Sequence, residues 1–525
     1  MACLEPDQLS GRAILNLSCG LFKMQKRTLS NFIPLALFLL FFLGMTAIQF
    51  ASPDLPDNDG FYHIKLAWLM RTEGLKPQFP WLPLSILNQR GFYDHHFLFH
   101  VALIPFTFGD LRLGAKWAAV TFASLAFLSV WYLFYRQRVP LAWLWALGLL
   151  GVSDAFLYRM SITRAQSLSL AVLALGLTWI LEGKYRRLAV LAFFYVWMYD
   201  AFPLLLALAV MHLLAVALIE HRFEYRPLLW VGIGVILGML INPYFPQNLI
   251  FTYRHLLPKL METTSVSVGN EWYPYETLQL LKNSLPTLVA FTSGALALGL
   301  AGRKMDLRTT TSFFIALLFG WMLFQARRFV EYFPPFALIF AAFAWAPLFP
   351  DPQPAPVHQP SLPRPRFLSV LQSNLSVILL TFAVSVGIIK SIPAVEFQMQ
   401  KSKPYDLYAG ASVWLVQNTP AGERVFQTDW DDFPRLFFYN THNTYLAGLD
   451  PTYMQLYDAD LYATWVKITR GEIEQPSKII TDRFSARYIQ SDLNHKNFMR
   501  LATEDPGLKE VYRDGQAVIY KVVEP

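Results

Sequence analysis

The chain has 525 residues, of which 54% are hydrophobic and 15% are charged, with a formal net charge of +7. Soluble domains carry about 25% charged residues, so this composition excludes an ordinary soluble protein and predicts a polytopic α-helical membrane protein. The modest positive charge indicates basic cytoplasmic loops, and no zinc-finger, RRM or KH signature points to nucleic acid. The two cysteines, Cys3 and Cys19, precede the first apolar stretch and provide no disulfide framework for an exported domain.

Apolar stretches recur along the first three quarters of the chain. A transmembrane helix needs about 20 apolar residues. We predict about eleven spans, near residues 32–50, 114–135, 140–157, 166–182, 188–200, 201–219, 228–242, 285–302, 310–326, 332–348 and 368–389. The first stretch follows basic residues and lacks a good cleavage site, which indicates an uncleaved signal anchor.

Two assignments depend on local sequence. Residues 188–219 are divided at Tyr199-Asp200-Ala201-Phe202-Pro203, a polar break that ends in a helix-breaking proline. Residues 97–108 are apolar but too short to span, which predicts a re-entrant or interfacial helix.

Basic residues define the orientation. If residues 1–30 form a cytoplasmic segment, every short inner loop is basic, which is the positive-inside pattern. The membrane domain then covers 31–392, with outer loops at 51–96 and 243–284, and residues 393–525 follow on the outer side. The compact loops and the lack of disulfides favour a bacterial inner membrane.

The C-terminal 393–525 region is large enough for a domain of its own. Residues 406–417 and 452–470 have helix-like sequence, and Asp514-Gly515 is a hairpin signal. The strand-like stretches are 424–428, 487–491, 510–513 and 517–522. We therefore predict a small extracytoplasmic α/β domain.

The most informative polar stretch, Asp54-Leu-Pro-Asp57-Asn-Asp59-Gly-Phe-Tyr-His63, follows the first span. The residues 61–73 have helical periodicity with an apolar face. Carboxylates at a membrane interface can bind Mg²⁺ or Mn²⁺, and such a cation can neutralise a diphosphate leaving group. The alternative is a solvated acidic loop in which Asp59 only caps the helix.

A second polar stretch, Tyr93-Asp94-His95-His96, ends the same loop. Neighbouring His and Asp side chains can serve as metal ligands. The alternative is polar anchoring at the membrane interface.

Several arginines fall on the outer side, against the positive-inside bias: Arg159, Arg164, Arg327 and Arg328. Arginine is suited to bidentate contacts with phosphate, so function explains these positions better than topology does. The alternatives are an ion pair such as Arg328–Glu331 or contacts with lipid headgroups.

Two stretches combine acidic and aromatic residues. Glu271-Trp272 ends the segment Thr263–Asn270 of the second outer loop and could bind a metal or a hydroxylated acceptor, although a solvated Glu is the alternative. Asp429-Trp430-Asp431 follows a strand at the start of the C-terminal domain. It is a recognition element or a structural turn with Trp430 in the core.

In order and placement these motifs resemble the GT-C superfamily of membrane glycosyltransferases, most closely the catalytic subunit of oligosaccharyltransferase. Asn58-Asp59-Gly60 resembles the family's first-loop motif, and the segment ending in Glu271 resembles its second-loop motif. Asp429-Trp430-Asp431, after Thr419-Pro-Ala-Gly422, lies where the family has Trp-Trp-Asp.

The resemblance implies inverting transfer of a sugar or glycan from a polyprenyl-phosphate or diphosphate donor to an extracytoplasmic glycan, lipid or protein acceptor. It implies catalytic roles for Asp59 and Glu271. The donor phosphate would be bound by Arg164, Arg327 and Arg328, and the acceptor by Trp272, Trp430 and Asp431. A divalent metal, Mg²⁺ or Mn²⁺, would be bound by Asp59, Asp94, His95 and His96.

The sequence also departs from the family. The first Trp of Trp-Trp-Asp is Asp429, and the next outer loop, Arg159-Met-Ser-Ile-Thr-Arg164, lacks the family's acidic metal motif. Two alternatives therefore stand beside the enzyme: a degenerate GT-C protein that binds a lipid-linked glycan without catalysis, and a transporter. The charges cluster at the outer face and do not form a path across the membrane, which favours the enzyme.

Overall fold

We used a computed structural model, which describes residues 32–256, 269–302, 304–349 and 366–523. The expectations for residues 1–30, including both cysteines, and for Thr263–Val268 of the second outer loop lie outside these described residues.

The first part of the chain is a bundle of helices with short connections. Its helices are α1 (Phe32–Gln49), α2 (Asp59–Glu73), α3 (Phe97–Leu103), α4 (Leu111–Arg136), α5 (Ala142–Leu147), α6 (Asp154–Met160), α7 (Gln166–Leu181), α8 (Arg186–Met198), α9 (Pro203–Glu220), α10 (Arg226–Leu240), α11 (Gln247–Phe251), α12 (Thr277–Ala301), α13 (Leu307–Gln325), α14 (Phe333–Trp345) and α15 (Arg366–Met399).

Six helices in the described residues are long and apolar enough to cross a membrane by length and composition. They are Phe32–Gln49, Leu111–Arg136, Pro203–Glu220, Thr277–Ala301, Leu307–Gln325 and Asn374–Met399. Shorter apolar helices include α7, α10 and α14 with the turn that follows it. These helices confirm the polytopic helical class, whereas the total of about eleven spans stays a prediction.

The prediction of one continuous span over 140–157 is wrong. Helix α5 ends at Leu147, and α6 begins only at Asp154, where the Ser153 hydroxyl accepts a hydrogen bond from the Phe156 N–H at 3.2 Å. A Cβ on Gly151 would lie 2.6 Å from the backbone of Gly387 in α15. Glycine therefore lets the broken segment lie backbone against backbone with α15, which apolar composition alone does not reveal.

The two finer predictions about helix length are confirmed. Helix α8 ends at Met198 and α9 begins at Pro203, so the polar break does separate two helices. The apolar stretch at 97–108 forms only α3 and a following 3₁₀ turn.

Small side chains let the bundle pack closely around α4. Ala118, Ala119 and Ala123 of this helix are completely or almost completely buried, and α4 packs along α7. Small residues permit close approach of membrane helices, where packing and not water exclusion drives association.

The C-terminal domain has a five-stranded sheet in the order β2-β1-β3-β5-β4. Strand β1 pairs in parallel with β2 and β3, whereas β5 pairs antiparallel with β3 and β4. The strands are β1 (Arg424–Gln427), β2 (Thr444–Tyr445), β3 (Tyr488–Asp492), β4 (Leu508–Arg513) and β5 (Ala517–Val522). The helices are α16 (Ala409–Asn418), α17 (Phe433–Tyr439), α18 (Pro451–Tyr457), α19 (Ala459–Thr469), α20 (Pro476–Phe484) and α21 (Lys496–Glu504).

These elements match the predicted strands and the hairpin at Asp514-Gly515. The predicted helix over 452–470 is broken at Asp458, whose carboxylate accepts a hydrogen bond from the Leu461 N–H at 2.9 Å and caps α19. Strand β2 was not predicted, because two residues carry no periodicity.

The first loop joins the bundle to the C-terminal domain. The Trp81 indole donates to the Thr441 carbonyl at 2.9 Å, and the Trp81 carbonyl accepts from the Tyr445 N–H at 2.8 Å. Phe79 and Phe437 belong to one apolar cluster that spans both parts. The loop that carries the acidic motif is therefore held between bundle and domain.

Candidate functional site

The acidic motif forms the start of helix α2. Asp59 is the first residue of the helix, and its N–H donates to Oδ1 of Asp57 at 2.7 Å. A Cβ on Gly60 would lie 3.5 Å from the buried side chain of Thr163. Carboxylates are favourable at a helix N-terminus, where backbone N–H groups carry partial positive charge. Asp57, just before the helix, and Asp59, at its first position, thus face the loop that precedes α7.

Arg164, at the end of that loop, binds three carboxylates. Its Nη2 lies 2.9 Å from both carboxylate oxygens of Asp57 and 2.7 Å from Oδ2 of Asp59. Its Nη1 lies 3.2 Å from Oε2 of Glu271. Arg164, a predicted phosphate-binding residue, therefore brings together the predicted catalytic residues Asp59 and Glu271. Its planar guanidinium can form paired hydrogen bonds with carboxylates.

A second arginine extends the cluster. Arg159 Nη1 lies 2.9 Å from Oε2 of Glu271, and Arg159 Nε donates to Oε1 of Glu331 at 2.6 Å. Glu271 is thus not the solvated side chain of the alternative interpretation. Glu331 pairs with Arg159. The alternative Arg328–Glu331 ion pair is therefore not the one that forms.

This cluster borders a cavity of about 220 Å³. Its lining includes Asp59, Arg164, Glu271, Trp272, Tyr199 and Arg328. The Arg328 guanidinium lies 4.2 Å from the centroid of the Trp272 ring and donates to the Tyr199 hydroxyl at 3.2 Å. Among the described residues, Arg328 forms no ion pair with a carboxylate, so its charge is available to an anionic ligand.

Arg327 differs from its neighbour. Its Nε donates to the Pro274 carbonyl at 3.1 Å, and its guanidinium lies over the Tyr275 ring. It does not line the cavity. Of the two adjacent arginines predicted to bind phosphate, the structure brings only Arg328 to the site.

Histidines form the wall beside Asp59. His100 Nδ1 lies 2.7 Å from Oδ2 of Asp94, and His100 Nε2 lies 2.7 Å from Nδ1 of His63. The Asp94 carboxylate accepts from Nδ1 of His100, and one hydrogen lies between His100 Nε2 and His63 Nδ1. Burial and the neighbouring His100 hold the pKa of His63 well below its usual range. The chain therefore places a neutral imidazole, His63, on the cavity wall.

The four predicted metal ligands do not fit a divalent cation in this arrangement. Asp59 is paired with Arg164, and Asp94 is engaged at both oxygens, by His100 and by the His96 N–H at 3.0 Å. The rings of His95 and His96 stack on Phe251 and Tyr199. In the parts of the chain that the structure describes, no three His, Cys, Asp or Glu side chains are grouped to hold a metal.

Two acids of the cluster, Asp59 and Glu271, have pKa values that are shifted in opposite directions. Burial raises the pKa of Asp59 to about 7; Arg164 opposes the rise, and Asp57 and Glu271 add to it. Burial favours the neutral form of Glu271 as well, but Arg159 and Arg164 outweigh it and hold its pKa well below the usual range. Asp59 can thus exchange a proton near neutral pH, whereas Glu271 is a permanent anion.

The C-terminal domain contributes Asp431 to the edge of the site. Asn58 Nδ2 donates to Oδ2 of Asp431 at 2.7 Å and to its backbone carbonyl at 3.0 Å. Burial, followed by repulsion from Asp57, raises the pKa of Asp431 to about 6. Asp431 therefore belongs to the same electrostatic environment as Asp59.

Trp430 lies on the other side of this turn, in an open cleft of about 830 Å³. The cleft lies at the carboxyl ends of the parallel strands β1 and β3, and its lining includes Asp429, Tyr462, Asn494 and His495. Ligands commonly bind outside the carboxyl ends of parallel strands. Of the three predicted acceptor residues, Trp430 and Asp431 thus belong to adjoining sites, and Trp272 lines the cavity.

Some residues of the site were not predicted from sequence. Arg159 and Glu331 lie in stretches that the sequence marks as unusual, and Asp57 and His63 lie in the acidic motif. Asn58 lies in the acidic motif and Tyr199 in the polar break, whereas His100 lies in no marked stretch. The roles of all three depend on partners far along the chain, which the sequence does not show.

No protein-family profile and no curated protein matches the sequence. Solved structures match the fold. The Archaeoglobus fulgidus oligosaccharyltransferase superposes with a TM-score of 0.63 at 12% identity, over 94% of this chain and 75% of its own. The same enzyme, AglB, in complex with an inhibitory peptide and a dolichol-phosphate gives a TM-score of 0.62 at 12% identity and the same coverage.

Two further glycosyltransferase structures match. ArnT from Cupriavidus metallidurans bound to undecaprenyl phosphate has a TM-score of 0.53 at 13% identity, over 93% of this chain and 97% of its own. The arabinofuranosyltransferase AftD from Mycobacteria has a TM-score of 0.56 at 14% identity, over 93% of this chain and 40% of its own.

At this identity the comparisons show the fold. The chain is an integral membrane protein with the GT-C layout, and the resemblance found from its motifs is confirmed at the level of structure.

Proposed function

We propose that this protein is an inverting membrane glycosyltransferase. It moves a sugar or glycan from a polyprenyl-phosphate or diphosphate donor to an acceptor on the outer side of the membrane. The observation that carries the proposal is the single cavity lined by both Asp59, with its pKa near 7, and the guanidinium of Arg328, which has no carboxylate ion pair among the described residues. The GT-C layout supports the same reaction class.

The donor phosphate binds at Arg328. This side chain has no carboxylate partner among the described residues, and the Trp272 ring and the Tyr199 hydroxyl hold it in place. Guanidinium groups bind phosphate through two parallel hydrogen bonds. A fixed positive charge at this position stabilises the negative charge that grows on the departing phosphate.

Transfer proceeds in one displacement. The acceptor hydroxyl attacks the anomeric carbon, the bond from that carbon to the phosphate oxygen breaks, and the configuration inverts. The hydroxyl proton passes to Asp59, whose ionised form serves as general base. Polyprenyl phosphate or diphosphate leaves beside Arg328. Since the residues do not fit a divalent cation, no step of this mechanism uses one.

The acceptor arrives from the C-terminal domain. The turn 429–432 lies between the cavity and the open cleft, and Trp430 provides an aromatic face of the kind that stacks on sugar rings. Asp431 is adjacent to Asn58 at the start of α2. A glycan-bearing acceptor bound along the cleft is thereby directed toward Asp59.

The orientation follows from the basic inner loops. Residues 1–30 lie in the cytoplasm, and the C-terminal domain lies outside, on the same side as the first loop that contacts it. We place the protein in a bacterial inner membrane, where polyprenyl-linked donors reach the cavity laterally from the outer leaflet.

The test is transfer by purified protein in lipid nanodiscs. A panel of polyprenyl-phosphate and diphosphate sugars is supplied with candidate acceptors, and the released polyprenyl phosphate is measured. We expect turnover by the wild type and none by Asp59→Asn, with NMR showing inversion at the anomeric carbon. Donor binding without turnover for any acceptor would instead favour the non-catalytic GT-C alternative.

A further inference from the structure

We propose that the Arg164 guanidinium is the built-in cation of this site, occupying the place where a divalent metal would bind the carboxylates, so that transfer requires no divalent metal. This inference rests on the proposed function, because it concerns how the same site performs the reaction.

The geometry of Arg164 carries the inference. One guanidinium lies within 3.2 Å of oxygens from Asp57, Asp59 and Glu271. These carboxylates come from segments 107 residues before and 107 residues after it. Acidic side chains gathered from distant segments around one positive charge are what a metal site requires, and here the positive charge belongs to the chain itself.

A metal and Arg164 exclude one another at this position. Magnesium needs near-ideal octahedral coordination by oxygens at about 2.0–2.1 Å. Both oxygens of Asp57 already accept from Nη2, and Oδ2 of Asp59 lies 2.7 Å from the same nitrogen. The Arg164 side chain is only 13% exposed, so it cannot swing into solvent to admit an ion without opening the cluster.

The surrounding loop holds Arg164 in place. The Thr163 hydroxyl donates to the Ala115 carbonyl of α4 at 2.9 Å, and the Arg164 N–H donates to the Ile162 carbonyl at 2.8 Å. This is the loop in which the sequence has Arg159-Met-Ser-Ile-Thr-Arg164 and no carboxylate. The segment that lacks a carboxylate thus supplies a cation to the same cluster.

The Arg164 guanidinium can perform only part of the chemistry that a divalent metal would perform at this position. Like a metal, Arg164 fixes the orientation of Asp59 and offsets its charge, and the contact uses Oδ2 so that Oδ1 remains for the acceptor proton. Unlike a bound metal, the guanidinium is covalently part of the chain, so no chelator removes it, and it stays charged at every working pH. Arg164 is in this sense a positioning residue, and the donor phosphate is left to Arg328.

The first experiment is Mn²⁺ binding followed by electron paramagnetic resonance on the full-length protein, which needs no substrate. We expect the wild type to bind no Mn²⁺ at equimolar concentration. Arg164→Ala frees Asp57 and Asp59, while Glu271 keeps its pair with Arg159. This variant should gain one Mn²⁺ site that Arg164→Ala/Asp59→Asn lacks. Arg483→Ala removes a comparable arginine from an exposed pair with Asp460 and serves as control.

The second experiment adds EDTA or Mn²⁺ to the nanodisc transfer assay. Wild-type turnover should change less than about twofold, whereas Arg164→Ala should lose roughly a hundredfold or more, with partial recovery in Mn²⁺ or guanidine. Wild-type Mn²⁺ binding that Asp59→Asn abolishes, or transfer that EDTA stops, would overturn the inference. If no donor is turned over, the proposed function fails, and the wild-type Mn²⁺ spectrum still decides the inference.

Discussion

The side chains of Asn58 and Arg435, 377 residues apart in sequence, meet at the edge of the site. Asn58 Oδ1 accepts from Arg435 Nε at 2.7 Å, and Asn58 Nδ2 donates to Asp431. Arg435 is 1% exposed and also donates to the Pro404 carbonyl at 2.6 Å. The Asn58 amide thus attaches the acidic loop to the C-terminal domain. It also fixes the position of the start of α2, where Asp59 lies.

We expect Asn58→Ala to loosen this attachment. The substitution leaves a buried guanidinium without one of its acceptors, at a cost of about 1.5–3 kcal/mol. Thermal unfolding in detergent should begin at a lower temperature, and limited proteolysis should release the C-terminal domain sooner. Asn418→Ala is the control, because the Asn418 amide bonds only locally, to the Trp414 carbonyl, on an exposed helix end. Equal behaviour of the two variants would contradict the docking role.

The same pair shows where sequence interpretation ends. Periodicity and turn residues act over a few positions. They predict the start of α2, the polar break at Pro203 and four of the five strands. The place of Arg164 on the outer side marks it as unusual, but its carboxylate partners cannot be predicted from the sequence. They belong to two distant segments, and two of them, Asp57 and Glu271, lie 107 residues away in opposite directions. The pairing of Asn58 with Arg435 has no local signal at all.

Adjacent arginines should differ sharply in their importance for transfer. Arg328→Ala removes a cavity guanidinium that has no carboxylate ion pair among the described residues. It should lower kcat by roughly 10²–10³-fold, the size of effect found for groups that stabilise transition-state charge. Arg327→Ala should stay within about threefold of the wild type, because its guanidinium lies over Tyr275 outside the cavity. Released polyprenyl phosphate measures both. Equal losses would show that the phosphate binds across both side chains.

Transfer should depend on pH through Asp59. The general base must be ionised, and burial raises the pKa of Asp59 to about 7, so protonation removes the base as pH falls. We expect kcat/KM to level off above about pH 8 and to fall roughly tenfold per pH unit below about pH 6.

A matched variant separates Asp59 from other titrating groups. Ionised Asp431 is one of the charges that raise the pKa of Asp59, so Asp431→Asn should move the midpoint of the profile to lower pH. A profile that is flat from pH 5 to about pH 9, or a midpoint that moves upward in Asp431→Asn, would contradict the assignment of Asp59 as base.

The cleft of the C-terminal domain should select the acceptor and leave the donor unaffected. Trp430 lines this cleft, outside the cavity that Arg328 lines. Trp430→Ala should raise KM for the acceptor about tenfold, equivalent to roughly 1.4 kcal/mol of binding, while donor affinity and kcat at saturating acceptor stay unchanged. Trp430→Phe should recover most of the loss, because a ring face is retained. Tyr457→Ala, which removes an aromatic ring that is 47% exposed and does not line the cleft, should behave as the wild type. A fall in kcat with unchanged KM would instead assign Trp430 to the geometry of the turn that carries Asp431.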